Sequence, residues 1–309
     1  MRLLAAAAVF LLLSLPAAAA PRVIASVVPV HAIVAAVMGG NGTPELLLEG
    51  QMSEHRATFT ASQIAALGKA DLVFIIGHGL EAKLAQLSGS EAVNGKSFTE
   101  LSEAAGVATL PIREGGAWAT HNHDADDDAS HEHADGVLRF DPHVWLDPDN
   151  AKAMARAVAD ALSAADPGNA ASYQSNARDF ASGLDRLSAE IADQLALVKH
   201  RPFAVFHDAF QYFEHRFGLN AVGSITDVAA SSPSAERLKE LRDQVTATGA
   251  VCVFREPQYD ARAVDAVIEG TGARSAMLDP LGAGLPPGPD AYPQLLRALA
   301  AALRDCLAG

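Results

Sequence analysis

The chain has 309 residues, half of them hydrophobic and few aromatic, with a formal net charge of −14. That length suits about two domains of ordinary size, each able to bury a core. The acidic balance argues against nucleic acid as a partner and is compatible with a cationic ligand. The opening stretch, "MRLLAAAAVFLLLSLPAAAA" (1–20), reads as a secretory signal: Arg2 is the positive end, a Leu/Ala/Val/Phe run follows, and small residues after Pro16 suit cleavage. The run is short for a membrane span and no later stretch is apolar for long enough, so a soluble, exported protein is expected.

From Arg22, "RVIASVVPV" reads as a first buried strand ended by Pro29, and "HAIVAAVMGG" as a helix stopped by Gly39 and Gly40. In "TASQIAALGKADLVFIIG", Thr60 or Ser62 caps a short helix and an apolar strand follows. This βαβ rhythm implies a parallel sheet. It breaks over 115–136, which is small, acidic and histidine-laden and reads as a mobile loop. "DPDNAKAMARAVADALSAADPGN" is a helix started near Asp147 or Asp149 and stopped at Pro167/Gly168. Tyr173, Phe180, Leu184, Leu187, Ile191 and Leu195 then share one helical face, so 169–198 predicts a strut about 45 Å long. Strand–helix alternation resumes at "FAVF" and closes with the helix "YPQLLRALAAALRDCLA". The expected architecture is α/β: an N-terminal lobe over 21–165, a long linking helix over 166–198 and a C-terminal lobe over 199–309, each lobe a mostly parallel sheet with flanking helices.

Ligands of open α/β sheets gather beyond the carboxyl ends of the strands. His207 directly follows the "FAVF" strand, and Asp279 ends "SAMLD". Glu54 and His55 lie between the apolar "ELLL" run and the next helix. His143 stands between two Asp-Pro pairs, where Pro142 and Pro148 restrict the backbone. Three imidazoles plus a carboxylate or water form a ligand set suited to Zn²⁺, whereas calcium and magnesium want oxygen-only sites. On the residues alone, the alternative is that each histidine is an ordinary surface or core residue. The two cysteines, Cys252 and Cys306, favour a disulfide in an oxidising compartment, free thiols being the other reading. Glu256, after the "VCVF" strand, reads either as a group behind the ligands or as a structural hydrogen-bond partner.

The stretches "SEHRATFTASQIAALGKADLVFIIGHGLE", "DPHVWLDP", "VFHDAFQYFEHRFGL", "VCVFREPQY" and "MLDPLGAG", spread over nearly the whole chain, resemble the periplasmic zinc-binding component of bacterial ABC zinc-uptake systems, the ZnuA type. The resemblance implies two α/β lobes bridged by one long helix with the metal in the inter-lobe cleft. It places the metal-binding histidines on His55, His143 and His207. The fourth position falls to Asp279, at or beside the metal, or alternatively to Glu54 or a water. Manganese-binding relatives tend to carry a carboxylate where this chain has His207, and a nitrogen-rich set favours zinc on ligand preference as well. The resemblance also implies a histidine- and acid-rich insertion where "HNHDADDDASHEHADG" stands, and a disulfide between Cys252 and Cys306. His121, His123, His131 and His133 in that insertion are expected to form weak, exchangeable metal sites, a solvated linker being the alternative. Histidine at position 78 departs from the pattern of relatives.

The expected function is that of a non-catalytic, monomeric periplasmic carrier that captures Zn²⁺ and hands it to an ABC permease with its ATPase. A His₃ zinc hydrolase with Glu54 as base is a rival, weakened by the absence of an H-E-x-x-H helix. A zinc-buffering or adhesion protein without a transport partner is another.

Overall fold

The computed structural model describes residues 20–50, 52–77, 79–88, 90, 93, 98–116, 118 and 138–309. The signal segment, His78 and the four histidines at 121, 123, 131 and 133 lie outside the described residues.

In chain order the first lobe contains β1 (Val23–Ala25), α1 (Val28–Met38), β2 (Glu45–Leu46), α2 (Ala61–Lys69), β3 (Leu72–Ile75), α3 (Ala82–Ser88) and β4 (Phe98–Glu100). Its sheet has the order β2-β1-β3-β4, with every pair parallel. α4 (Pro148–Ala165) and α5 (Ala170–Leu195) follow, joined by a single turn of 3₁₀ helix over Pro167–Asn169. The second lobe runs β5 (Pro202–His207), α6 (Gln211–Phe217), β6 (Asn220–Thr226), α7 (Ala235–Thr248), β7 (Cys252–Arg255), α8 (Arg262–Ile268), β8 (Arg274–Met277) and α9 (Ala291–Ala308). Its sheet, again all parallel, has the order β6-β5-β7-β8.

The first strand is shorter than its sequence suggests. β1 ends at Ala25, and Pro29 sits in the first turn of α1 rather than terminating a strand. A continuous apolar run does not reveal its period. α1 is buried on nearly every side, so it carries no polar stripe, and proline fits a first helical turn, where its missing N–H costs nothing. The helix stops where expected: Gly39 takes the left-handed conformation (φ 54°) and its N–H caps Ala35 O.

Strand side chains alternate between two environments. Val23 and Ala25 face one core while Ile24 faces another; Phe203 and Val205 likewise oppose Ala204 and Phe206. The outer face of each sheet is covered by its own lobe's helices. The inner faces share one continuous core that runs from α1 through α4 and α5 to β5, β7 and α9. At 26 residues, α5 is about 39 Å long. It packs on α4 and α1 on one side and on α9 and α6 on the other, so the long helix lies between the lobes.

Polar side chains buried in this core tie the lobes together. Trp145 Nε1 donates to Pro280 O at 2.9 Å, Tyr292 Oη to Trp145 O at 2.6 Å, and Tyr212 Oη to Asp141 O at 2.7 Å. Arg113 bridges to Asp208 and Glu214. Cys252 and Cys306 form a disulfide between β7 and α9, closing a separation of 54 residues with Cα atoms 6.2 Å apart. Among the described residues, no helix is long and apolar enough to cross a membrane.

Candidate metal centre

His207 is the last residue of β5, a central strand of its sheet. The neighbouring strand β7 delivers Glu256 at the matching level. Glu256 Oε1 accepts from both His207 N (3.2 Å) and His207 Nδ1 (2.7 Å). His143 caps the 3₁₀ turn Val144–Leu146, which is sunk in the inter-lobe core. Asp141, two residues earlier, holds it in the same way: Oδ1 accepts from His143 N at 3.0 Å and from Nδ1 at 2.7 Å. With Nδ1 of each ring engaged by a carboxylate, the two Nε2 atoms face each other across 3.2 Å.

Glu54 and His55 arrive on the connection between β2 and α2. Its base is closed by Gln63, which donates to Leu47 O and completes a capping box with Thr60. Its tip is turned by Arg56 N bonding Ser53 O. The tip reaches the second lobe through Ser53 Oγ, 3.0 Å from Tyr259 Oη, and Arg56 Nη2, which donates to Ala230 O at 3.0 Å. His55 Nε2 lies 3.5 Å and His143 Nε2 3.8 Å from Glu54 Oε1.

The structure thus brings Glu54, His55, His143 and His207 together, with one ligand atom from each inside a 4.8 Å span. A tetrahedral zinc with bonds near 2.0–2.1 Å separates its ligands by roughly 3.3 Å, close to these spacings. The side chains are 2%, 6%, 0% and 1% exposed in that order, so the centre is shut off from water. Glu54 Oε1 and His55 Nε2 are buried with no hydrogen-bond partner. Lone pairs stranded in this way are costly unless something electrophilic sits between them.

Asp279 is not brought into this group. Its carboxylate is half-buried and spent on the turn after β8, accepting from Leu281 N (3.0 Å), Ala283 N (2.7 Å) and Gln258 Nε2 (3.0 Å). Asp279, expected at or beside the metal, lies outside the converging group, with its charge felt at Glu256.

Burial pushes the His55 imidazole down to about 3, with His143 and His207 adding to the fall against the pull of Glu54. Burial and the proximity of His143 likewise lower His207 to about 4. Burial also works against the His143 cation, but Asp141 and Glu54 outweigh it and hold that ring up at about 9. Glu54 is opposed by burial, yet the three histidines around it bring it down to about 2. These directions favour an ionised Glu54, neutral His55 and His207, and a His143 that holds a second ring proton. That set attracts a cation able to replace the proton.

Two residues around the centre escaped sequence reading. Asp141 was visible only as half of an Asp-Pro pair, although an Asp two residues before a constrained residue is a known way to bond its backbone N–H. Tyr259 closes the stretch "VCVFREPQY" but was given no role there: it stacks on Phe206 (4.7 Å between centroids) and meets the His207 ring edge-on at 5.7 Å.

A family model described as the zinc-uptake complex component A, periplasmic, matches residues 23–306. The chain belongs to the ZnuA family. The high-affinity zinc uptake system protein ZnuA of Brucella abortus is 41% identical over 305 residues, covering 92% of this chain and 91% of the relative. That of Paracoccus denitrificans is 36% identical over 324 residues, covering 95% and 94%. Among solved structures, a crystal structure of ZnuA superposes with a TM-score of 0.76 at 26% identity, covering 93% of this chain and 99% of that one. The laminin-binding protein of Streptococcus agalactiae, described as bifunctional with adhesin and metal-transporting activity, gives 0.74 at 28% identity, covering 93% and 99%. The resemblance carried by the sequence motifs is therefore borne out, and so is the fold of two parallel sheets with a long helix between them.

Proposed function

We propose that this chain is the zinc-binding protein of a periplasmic uptake system, capturing Zn²⁺ on His55, His143, His207 and Glu54 and delivering it to an ABC permease. The observation that carries the reading is the convergence of three imidazole nitrogens and one carboxylate oxygen in a sealed centre, two of those atoms without any other partner. The ligand types narrow the metal: nitrogen-rich donors suit zinc and its neighbours, while magnesium and calcium require more oxygens than this centre offers. Membership of a zinc-uptake family whose model is described as periplasmic supports uptake there, and a permease is the partner that such a carrier would serve.

Enzymatic use of the same ions requires a coordination position that a substrate can reach. Burial of all four side chains supports storage and hand-over rather than turnover. Titration calorimetry of zinc into the apo protein and into H55A and H207A tests the assignment. Each substitution is expected to weaken binding by more than about 100-fold, beyond the usual cost of losing an outer hydrogen-bond partner. Unchanged affinity in either variant removes that residue from the centre.

A further inference from the structure

The imidazoles are not supported equally. Behind His143 and His207 stand two carboxylates, each 2% exposed or less, belonging to residues outside the converging group. Each uses a single oxygen to take both the backbone N–H and the ring Nδ1 of one histidine. A ring bonded only through Nδ1 can still swing with its partner. When the same oxygen also grips the main chain of that histidine, ring, backbone and carboxylate are fixed to one another. The Nε2 lone pair then has one direction, and both rings send it to the same point, 3.2 Å apart.

The carboxylates are themselves held by the frame of the molecule. Asp141 is anchored by its own N–H to Leu110 O and by Tyr212 Oη on its carbonyl. Glu256 follows directly on β7, whose neighbour β5 carries His207. The second oxygen of each, Asp141 Oδ2 and Glu256 Oε2, is buried without a partner. A carboxylate needed only as structural filler would be satisfied on both oxygens or replaced by an apolar side chain, because a half-satisfied buried acid costs stability.

We infer that Asp141 and Glu256 are positioning residues for the metal, each locking one imidazole so that a two-nitrogen seat for the ion exists before Glu54 and His55 close on it. The inference rests on the proposed zinc centre and deepens it. The locked rings lose little freedom on binding, so less of the metal–ligand bonding energy is lost to ordering them.

The test compares E256A, E256Q, D141A and D141N with the native chain and with H207A, using zinc competition against a chelator. Nδ1–H resonances of His143 and His207 in the zinc-loaded protein provide a second readout. E256A and D141A are expected to bind zinc about 10- to 100-fold more weakly. Each should lose the exchange-protected Nδ1–H signal of its own histidine only. E256Q and D141N keep an acceptor oxygen and should recover most of that signal and part of the affinity. They carry the test if an alanine variant does not fold. Zinc affinity within twofold of native in the E256 and D141 variants, with H207A having lost zinc, overturns the inference and leaves the centre standing. Unaltered zinc binding in H207A overturns the centre itself. Equal weakening in the alanine and amide variants, with both Nδ1–H signals intact, overturns the inference and leaves the centre standing, because the effect would then not pass through ring orientation.

Discussion

Neutral imidazoles ligate metals and protonated ones do not. His55 and His207 are held near 3 and 4, so both are neutral at neutral pH, each with one ring N–H, whereas His143 is held near 9 and keeps a second proton. With Nδ1 given to Asp141, that proton falls to His143 Nε2, the atom that faces His207 Nε2 across 3.2 Å and that the ion would need. Zinc binding at pH 7 is therefore expected to release about one proton, and the apparent affinity to rise about tenfold per pH unit. Both effects should fade as pH passes the His143 value of about 9. Calorimetry in buffers of different ionisation enthalpy reads the proton count; a count near zero at pH 7 sinks the account. The contribution of His143 to the stability of the apo fold runs the other way. His143 has a folded value above the ordinary 6.5, so its contribution to stability is complete below that pH and is lost as pH rises through about 9. Sequence alone brought the three histidines and Glu54 into view because each falls where a strand ends or a proline fixes the chain. Asp279, two residues beyond the end of β8, draws the same attention as His207 at the end of β5. What separates them is the backbone after each strand: three donors around residues 258, 281 and 283 consume the Asp279 carboxylate, and such local turns leave no mark in the spacing of residue types.

The connection between β2 and α2 differs from the other elements that supply the centre. β5 and the 3₁₀ turn after His143 are built into the shared core. The segment carrying Glu54 and His55 rests on that core only at its flanks, through Leu48, Ala57 and the partly buried Met52 and Phe59, and its tip meets the second lobe through polar contacts at Ser53 and Arg56. Elements with few buried apolar contacts open at lower free energy than those in the core. Y259F removes the hydroxyl that meets Ser53 while keeping the stack on Phe206. Losing about 1 kcal/mol of closing contact should speed zinc dissociation about fivefold and leave association almost unchanged. Stopped-flow transfer of zinc to a chelator measures this. An unchanged off-rate, or an effect confined to the on-rate, excludes the contact as a closure. Helices with a polar stripe, such as α4 and α5, and those with a capping residue, such as α2 at Thr60, were legible in the sequence for physical reasons: period and cap are local properties. The boundary between β1 and α1 was not, because an element buried on all sides carries no period.

Two α/β lobes invite the expectation of two unfolding units, since inter-domain interfaces are ordinarily small and polar. Here the inner faces of both sheets, α1, α4, α5 and α9 contribute to one uninterrupted hydrophobic core. Trp145, Tyr212 and Tyr292 spend their polar atoms across it, so pulling the lobes apart would strand buried donors and acceptors as well as expose apolar surface. The disulfide adds to this by fixing α9, which packs on α1 and α5, to β7 of the second sheet. The apo protein is thus expected to unfold in one calorimetric transition with matching calorimetric and van't Hoff enthalpies, despite its length. Zinc should move that transition upward as a whole, by about 4 kcal/mol of stability when the free ion is at a thousand times its dissociation constant. Replacing Cys252 and Cys306 by alanine closes no 54-residue loop in the unfolded chain and should cost on the order of 2–4 kcal/mol. Because the shared core remains, the variant should still melt in one step and still respond to zinc. Two resolved transitions in the native apo protein would show that the lobes fold separately and that the core joining them contributes less than its continuity implies. Two transitions appearing only in the cysteine variant would show instead that the disulfide, and not the core, makes the molecule a single cooperative unit.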